Sequence, residues 1–312
     1  MTGSPPARRV AVFWSFAAIY LVWGSTYLAI RVMVGSFPPL LGAGSRFLTA
    51  GGILYAWARW RGVPRPDRRL WAPAFVLGGL FFLLGNGGVS WAETRIPSGL
   101  TALLAATSPL FTVAFESHRS GWRRPPLRVV AGIVAGLTGV ALLVAPGEFI
   151  GAAHTDLAGA AAITLAAMGW AAGSVSSHAM PLHDSPVLAT GMKMLAGGVL
   201  LVAAGLIFGE GARVSPGIFT GQALGAWLYL VVFGSLIGFS AFTYLLRVST
   251  PAKVSTSAYV NPLVAVTLGW ALLGEAITAR TLLAAAVIIG GVVLIRGSQK
   301  PGVPAHQEPE EP

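Results

Sequence analysis

Long runs of apolar residues alternate along this chain with short groups of proline, glycine and charged residues. Ten of these runs are about as long as the 17–25 residues that a helix needs to cross a bilayer. An unpaired backbone amide in hydrocarbon costs several kcal/mol, so each run is expected to be helical. The pattern predicts an all-α, polytopic membrane protein with ten transmembrane helices. The predicted spans are 10–30, 39–60, 71–92, 97–117, 127–145, 157–178, 185–208, 220–246, 251–273 and 279–296.

The composition supports a membrane protein. Hydrophobic residues make up 54% of the 312 residues and charged residues only 10%, whereas a soluble protein needs a polar exterior. Span 10–30 is longer than the apolar core of a signal peptide, about 7–15 residues, and no A-x-A cleavage site follows it. It is therefore expected to be retained as the first helix. The absence of cysteine excludes disulfides, thiolate metal sites and cysteine nucleophiles.

Basic residues occupy alternate gaps between the spans. With the N-terminus in the cytoplasm, 15 of the 21 lysines and arginines fall on the inner side. The outer side receives only Arg31, Arg95, Arg213 and Arg280. Short loops with this bias follow the positive-inside rule, so both termini are expected in the cytoplasm. The net charge of +10 is then a signal of topology. Since no basic domain stands apart from these loops, a nucleic-acid partner is not expected.

The two halves of the chain resemble each other. A proline, a cation and a cluster of small residues recur in the same order in residues 39–52 and 186–198. Because five spans is an odd number, the second half would cross the membrane in the opposite orientation, as in many secondary transporters. Chance similarity between two apolar sequences is the alternative. A duplication predicts one five-helix repeat over 1–147, a second over 148–298 and a disordered cytoplasmic tail over 299–312.

Several short motifs follow one another through the spans. They are Trp23-Gly24-Ser25-Thr26-Tyr27, Pro39 with Arg46-Phe47, Gly85-Asn86-Gly87, Pro97-Ser98-Gly99, Pro109-Leu110-Phe111, Asn261-Pro262-Leu263-Val264-Ala265, and Leu268-Gly269 with Leu273-Gly274-Glu275. In this order and spacing the chain resembles EamA-type members of the drug/metabolite transporter superfamily over residues 10–296. One departure is the end of span four, where Glu116 follows Ala114-Phe115 rather than a Leu-Gly pair. No role is therefore carried over to Glu116.

The resemblance implies a five-plus-five helix bundle in the bacterial inner membrane with both termini inside. It also implies a central cavity between helices one, three, four, six, eight and nine. The expected activity is export of small metabolites, such as amino acids or drug-like amphiphiles, by alternating access. No cofactor is implied.

Polar and aromatic residues inside the spans are the candidates for substrate binding, because polar groups in hydrocarbon are costly and face protein or water. We expect the site to contain Trp23, Ser25, Thr26, Arg46, Asn86, Trp91, Trp170, Lys193, Tyr244, Tyr259 and Asn261. Trp23 and Trp170 could close the cavity or stack on the apolar part of a substrate. Ordinary packing is the alternative for both rings.

Arg46 and Lys193 place one cation near each mouth of the predicted cavity. Arg46 lies roughly 10 Å deep in span two from the outer face, at the usual helical rise, and Lys193 lies similarly deep from the inner face. Each could attract a substrate carboxylate or pair with an acid. The alternative is that each side chain snorkels to its interface or caps the end of a neighbouring helix.

Glu93, at the outer end of span three, shares a helix face with Asn86 and Ser90. It could accept a proton or a cation, but its position near water favours an ion pair with Arg95. With no aspartate inside a span, the sequence favours facilitated efflux slightly over proton exchange. Pro109 and Pro262 are predicted to kink spans four and nine at matching places, as hinges near the midplane.

Other classes of protein find little support in the sequence. It has no H-E-x-x-H metal motif, no G-x-S-x-G elbow and no phosphate-binding loop, so neither an enzyme nor an ATP-driven pump is expected. A channel or a lipid-translocating protein is the main alternative to a carrier. The glycines at positions 132, 136, 139, 290 and 291 predict close helix packing, within one chain or, as the alternative, across a homodimer.

Overall fold

The computed structural model describes residues 6–96, 101, 104–121, 124–143, 156–214, 220–273 and 279–297. These residues form ten helices, which confirms the all-α fold. The helices are α1 (Pro6–Val34), α2 (Pro39–Trp60), α3 (Trp71–Gly78, Gly79–Gly87 and Gly88–Ala92), α4 (Ser108–Arg119), α5 (Leu127–Leu143), α6 (Leu157–Ser176), α7 (Pro186–Ile207), α8 (Gly221–Tyr229, Leu230–Phe239 and Ser240–Val248), α9 (Pro251–Ser255 and Ser257–Leu273) and α10 (Ala279–Gly297). Pro97 and the tail 299–312 lie outside the described residues.

Five of these helices are long and apolar enough to cross a membrane. They are Arg8–Val34, Arg68–Ala92, Leu157–Ser176, Pro186–Ile207 and Gly221–Val248. The apolar parts of α5 and α10 are shorter, at Leu127–Leu142 and Leu282–Ile295. Together they make the chain a polytopic helical protein of membrane type.

Helices α3 and α8 both widen into a π-helix at their centres, over Gly79–Gly87 and Leu230–Phe239. Such widened turns inside α-helices occur often at functional sites. The Asn86 side chain donates to the carbonyl of Phe81, five residues earlier, at 3.0 Å. That bond satisfies a carbonyl in the widened segment of α3.

The contacts among the helices form a repeating pattern. If helices α1–α5 are matched in order with helices α6–α10, the most extensive contacts between two helices have counterparts between their matching helices. Helix α1 packs on α9 as α4 packs on α6, and α1 packs on α8 as α6 packs on α3. In two further pairs, α2 with α7 and α5 with α10, a helix packs on its own matching helix. These pairings are the ones that a two-fold relation between helices α1–α5 and helices α6–α10 would produce.

Glycines allow α2 to approach α7 closely, and α5 to approach α10. A Cβ added at Gly51 of α2 would lie 3.0 Å from the carbonyl oxygen of Gly191 in α7. A Cβ added at Gly132 of α5 would lie 2.7 Å from the carbonyl oxygen of Gly291 in α10. Small residues bring backbones together in this way in membrane bundles. The glycine contacts of α5 and α10 are therefore made within the chain.

Side-chain bonds tie the helix ends together and define the two ends of the bundle. At one end, Asp156 begins α6 by accepting from the amides of Ala158 and Gly159, and it pairs with Arg95, just beyond α3, at 2.8 Å. We call this the Glu93 end, where α1 and α3 end and α2 and α6 begin. The opposite end, where α2, α4 and α6 end, is called the Lys193 end. There, Arg119, the last residue of α4, donates to the carbonyl of Val175 in α6.

Candidate functional site

A cavity of about 100 Å³ lies between the helices of the bundle. All six helices expected around a cavity line it, namely α1, α3, α4, α6, α8 and α9, and α2 adds Arg46. Most of the wall is apolar. Its polar side chains are those of Thr26, Tyr27, Arg46, Asn86, Ser108, Ser255, Ser257 and Asn261.

Aromatic rings separate the cavity from the Lys193 end. The indole of Trp23 meets that of Trp170 edge to face, with ring centroids 5.2 Å apart at 86°. Phe239 and Phe242 of α8 lie 5.2 and 5.1 Å from Trp23. The Nε1 of Trp23 donates to the carbonyl of Gly234 in the π-helix of α8, at 3.2 Å. We call Trp23, Trp170, Phe239 and Phe242 the aromatic floor.

Arg46 is the charged residue of the cavity wall. Its side chain is only 2% exposed, so it does not reach the surface by snorkelling. The Nε donates to the hydroxyl of Ser235 at 2.8 Å, and the guanidinium carbon lies 4.5 Å from the ring centre of Phe47. No described carboxylate lies within ion-pair distance of it. A buried cation normally pairs with an anion, and here the free side of the guanidinium faces a cavity.

Lys193 occupies a comparable position toward the other end of the bundle. It is 3% exposed, and its Nζ donates to the hydroxyl of Thr243 at 3.1 Å. The same nitrogen lies 5.8 Å from the ring centre of Phe81. Lys193 does not line the cavity, because the aromatic floor lies between them.

Two polar atoms of the cavity wall lack a hydrogen-bond partner. They are the hydroxyl of Ser108 in α4 and the Oδ1 of Asn261 in α9, both buried. Unpaired buried polar atoms are uncommon in native proteins, and those in a cavity wall are available to a ligand or to water. The hydroxyl of Ser108 was not expected from the sequence. The proline that follows it, which disfavours helical backbone at the preceding residue, is the signal that could have drawn attention to it.

Six of the eleven expected residues line the cavity, and five lie elsewhere. The six are Trp23, Thr26, Arg46, Asn86, Trp170 and Asn261. Besides Lys193, the hydroxyl of Ser25 bonds to that of Tyr229, and the ring of Trp91 lies 4.3 Å beneath the guanidinium of Arg95 at the Glu93 end. Tyr244 is half-buried in α8 away from the cavity. Tyr259 is fully buried against Gly136 of α5.

The two predicted hinge prolines do not occupy equivalent positions. Pro262 lies inside α9, as expected of a kink. Pro109 lies in the first turn of α4, where its missing amide is not needed. The helical path of α4 is interrupted by a turn at residues 106 and 107, just before this segment. A matched pair of hinges at these two prolines stays a prediction.

Glu93 is placed differently from the sequence expectation. The expected ion pair with Arg95 is wrong, because Arg95 turns outward to Asp156. Glu93 ends α3 with its side chain fully buried. The nearby Arg31 of α1 donates to the backbone carbonyl of Glu93 rather than to its carboxyl group.

Other proteins show which family has this arrangement. The sequence profile of the EamA-like transporter family matches twice, over residues 10–145 and 157–297. The chain is 41% identical to the uncharacterized inner membrane transporter YedA of Escherichia coli (strain K12), over 92% of this chain and 91% of that protein. It is 27% identical to the probable terminal-alkyne amino-acid exporter of Streptantibioticus cattleyicolor, over 90% of this chain and 92% of the relative.

A solved crystal structure shares the fold, with a TM-score of 0.71 over 92% of this chain and 97% of the other, at 23% identity. The family match covers nearly all of the ten helices, and the relative at 41% identity is a transporter of the inner membrane. This chain belongs to the EamA-like transporter family.

Proposed function

We propose that this transporter exports a small solute carrying a carboxylate and an apolar part across the inner membrane by alternating access. The observation that carries the proposal is Arg46, a cation that is 2% exposed, lines the cavity and has no described carboxylate within ion-pair distance. Arginine is well suited to bind a carboxylate through two parallel hydrogen bonds. A solute with that group would supply the anion that the protein does not.

The rest of the cavity suits the apolar part of such a solute. Trp23, Trp170 and Phe239 supply aromatic surface to the cavity, which is also lined by Ser108 and Asn261. A solute ammonium could bind the Oδ1 of Asn261 and the faces of the tryptophans. A zwitterionic amino acid with an apolar side chain has all three parts. The exporter of Streptantibioticus cattleyicolor, whose name specifies an amino acid, supports this class of solute.

Alternating access is supported by the paired contacts of the helices. Two similar halves can pack in two ways of nearly equal energy, which opens a central site to one side and then to the other. The floor between Trp23 and Trp170 would part to open the Lys193 end. We place this end in the cytoplasm, because it holds most of the basic residues. Its cations include Arg61, Arg65, Arg68, Arg69, Arg119 and Arg247.

An export screen followed by reconstitution tests the proposal. Cells that overproduce the protein would be challenged with amino acids, dipeptides and toxic analogues, and tolerance would identify the solute. We expect Arg46→Ala to abolish the tolerance, Arg46→Lys to retain part of it, and the exposed control Arg61→Ala to retain it fully. Tolerance that survives Arg46→Ala at equal protein levels would contradict a carboxylate site at Arg46.

Proteoliposomes then separate a carrier from a channel or a lipid-translocating protein. A carrier gives saturable uptake of labelled solute that unlabelled solute on the far side accelerates. A channel gives flux without that acceleration, and a lipid-translocating protein moves labelled lipid instead. Either of the last two results would overturn alternating access.

A further inference from the structure

Glu93 lies directly beyond the cavity on the face of α3 that lines it. Asn86 and Val89 of that helix are cavity residues, and Glu93 follows them by seven and four positions, on the same face. Ile30 of α1 lines the cavity and packs in one cluster with Val89. The carboxyl group of Glu93 therefore lies between the cavity and the Glu93 end of the bundle.

This carboxyl group differs from the others embedded in the described part of the bundle. It is 0% exposed, and neither of its oxygens has a hydrogen-bond partner among those residues. Glu210, by contrast, accepts bonds from the backbone amides of Leu40 and Leu41. A carboxylate buried without partners is very costly, whereas the neutral acid is much less so. The surroundings of Glu93 thus favour its protonated form.

The charges that face Glu93 do not reverse this preference. Arg31 and Tyr27 of α1 interact electrostatically with the carboxyl group of Glu93. One N–H of Arg31 donates to the backbone carbonyl of Glu93 and so is not available to the carboxyl group. Arg95 is paired with Asp156 at the start of α6. The C-terminal end of α3 carries the negative end of the helix dipole, which also opposes an anion there.

The remaining neighbours of this helix end are apolar. Trp227 and Leu230 of α8 pack in the cluster that holds Val89. Ile163 and Ala166 of α6 pack against Ala92, which precedes Glu93. A metal cation would need several oxygen ligands at this position, and within the described residues no group of three or more acidic or histidine side chains is available. A proton needs only one carboxyl oxygen.

We propose that Glu93 is a proton-binding site that couples export to the proton gradient. It binds a proton from outside when the Glu93 end opens and carries that proton while both ends are closed. It releases the proton to water that enters the cavity when the Lys193 end opens. One proton enters for each solute exported, and the only bond that changes is the O–H of the carboxyl group.

The proton site can be tested without any solute. The full-length protein would be titrated with pH while infrared difference spectra record the carbonyl stretch of neutral carboxyl groups. We expect a titrating band in the wild type that is absent from Glu93→Gln and shifted in Glu93→Asp. The matched control is Glu116→Gln, because Glu116 is a second, half-buried carboxyl group whose loss should leave the Glu93 band in place. The same band in Glu93→Gln would overturn the proposal.

Coupling rests on the proposed function and needs a second measurement. Proteoliposomes would take up a labelled amino acid that the screen selects, with a pH gradient and the voltage clamped. We expect the gradient to drive accumulation in the wild type, while Glu93→Gln still exchanges solute at equilibrium but accumulates none.

The two proposals fail in different ways. A wild-type flux that ignores the pH gradient would overturn coupling and leave the carrier intact. An infrared band assigned to Glu93 in a protein that moves no solute would support the proton site and overturn the carrier.

Discussion

The indole ring of Trp23 in α1 meets the indole ring of Trp170 in α6 edge to face, with centroids 5.2 Å apart. In the pattern of contacts between helices, α1 takes the place among the first five helices that α6 takes among the last five. Both rings line the cavity on one side and pack on the phenylalanines of α8 on the other. One contact therefore forms part of the site and part of its barrier.

Removal of one ring should lower the stability of the protein and also let solute cross the aromatic floor. Trp170→Ala is expected to let solute pass without saturation. It should destabilise the protein by less than the roughly 3–5 kcal/mol that truncating a fully buried tryptophan costs, because Trp170 is half-buried. Trp170→Phe keeps an aromatic edge and should retain most of the stability and transport. Thermal unfolding in detergent and flux into proteoliposomes would measure both effects.

The control for that pair of variants is Trp60→Ala. Trp60 ends α2 and is exposed, so its loss should change neither stability nor flux by much. If Trp170→Ala were as stable as Trp60→Ala and gave no greater solute flux, the aromatic floor would not be the barrier to solute.

The sequence predicts the helices well because bilayer thickness, proline and capping residues fix where each one begins and ends. Span two was predicted at 39–60 and is observed at Pro39–Trp60, where Pro39 occupies the first turn. Span six was predicted at 157–178 and is observed at Leu157–Ser176, after the cap by Asp156. Six of the expected site residues also line one cavity.

The sequence could not show which way each polar side chain faces. In a helix that is apolar on every side, periodicity does not distinguish the cavity from a packing face, so Tyr259 was expected in the site but packs on Gly136. The position of Glu93 depends on how the chain turns after α3, where Arg95 faces outward and Glu93 inward. The π-helices of α3 and α8 carry no sequence motif that marks them.

Glu210 is predicted to be a structural anchor between the halves. Its carboxylate accepts from the amides of Leu40 and Leu41, at 3.0 and 2.9 Å, at the start of α2. Because hydrogen bonds to a charged group contribute about 1.5–3 kcal/mol, Glu210→Ala should lower the free energy of unfolding by about that amount. Glu210→Gln, which keeps one acceptor oxygen, should cost less.

Asp67 provides a matched control for Glu210. It also accepts from a backbone amide, that of Arg69, but in an exposed turn. Asp67→Ala should therefore cost clearly less than Glu210→Ala when both are unfolded in the same detergent. Equal losses would show that burial of the Glu210 carboxylate adds nothing.

Two glycines, one in α5 and one in α10, are predicted to change the stability of the protein in opposite directions when replaced by alanine. A Cβ at Gly132 would lie 2.6 Å from Ile295 and 2.7 Å from the backbone of Gly291, so Gly132→Ala must move the helices apart. Such overpacking costs about 1–3 kcal/mol. Gly290 has no atom within 4 Å of an added Cβ. Gly290→Ala should therefore stabilise the helix by up to about 1 kcal/mol, since alanine is the better helix former.

Thermal unfolding of the two alanine variants would measure this difference. Light scattering of the purified protein would also test the homodimer alternative. If Gly290→Ala were the variant that destabilised the protein, or changed its mass in detergent, the exposed side of α10 would be a contact between copies.

The pair of Asp156 and Arg95 makes the stability depend on pH at the Glu93 end. The hydrogen bond from Arg95, followed by the backbone amide of Gly159, holds the pKa of Asp156 below its usual value. A group whose pKa is lower in the folded protein stabilises it above the unfolded pKa, about 3.9 for aspartate. That stabilisation is lost as the pH falls through the lowered folded pKa.

Asp156→Asn isolates this contribution, because the amide oxygen can still cap α6 while the charge is gone. At neutral pH the variant should unfold at a lower temperature than the wild type, and the gap should close as the pH falls below the folded pKa of Asp156. Added salt should also narrow the gap, because the pair is partly exposed and its attraction is screened. Arg95→Ala should reproduce the same pH dependence, with a further loss that does not vary with pH because Arg95 also lies over the ring of Trp91. A gap that persisted unchanged into acid would mean that Asp156 acts only as a helix cap and that its pairing with Arg95 contributes nothing to holding α3 against α6.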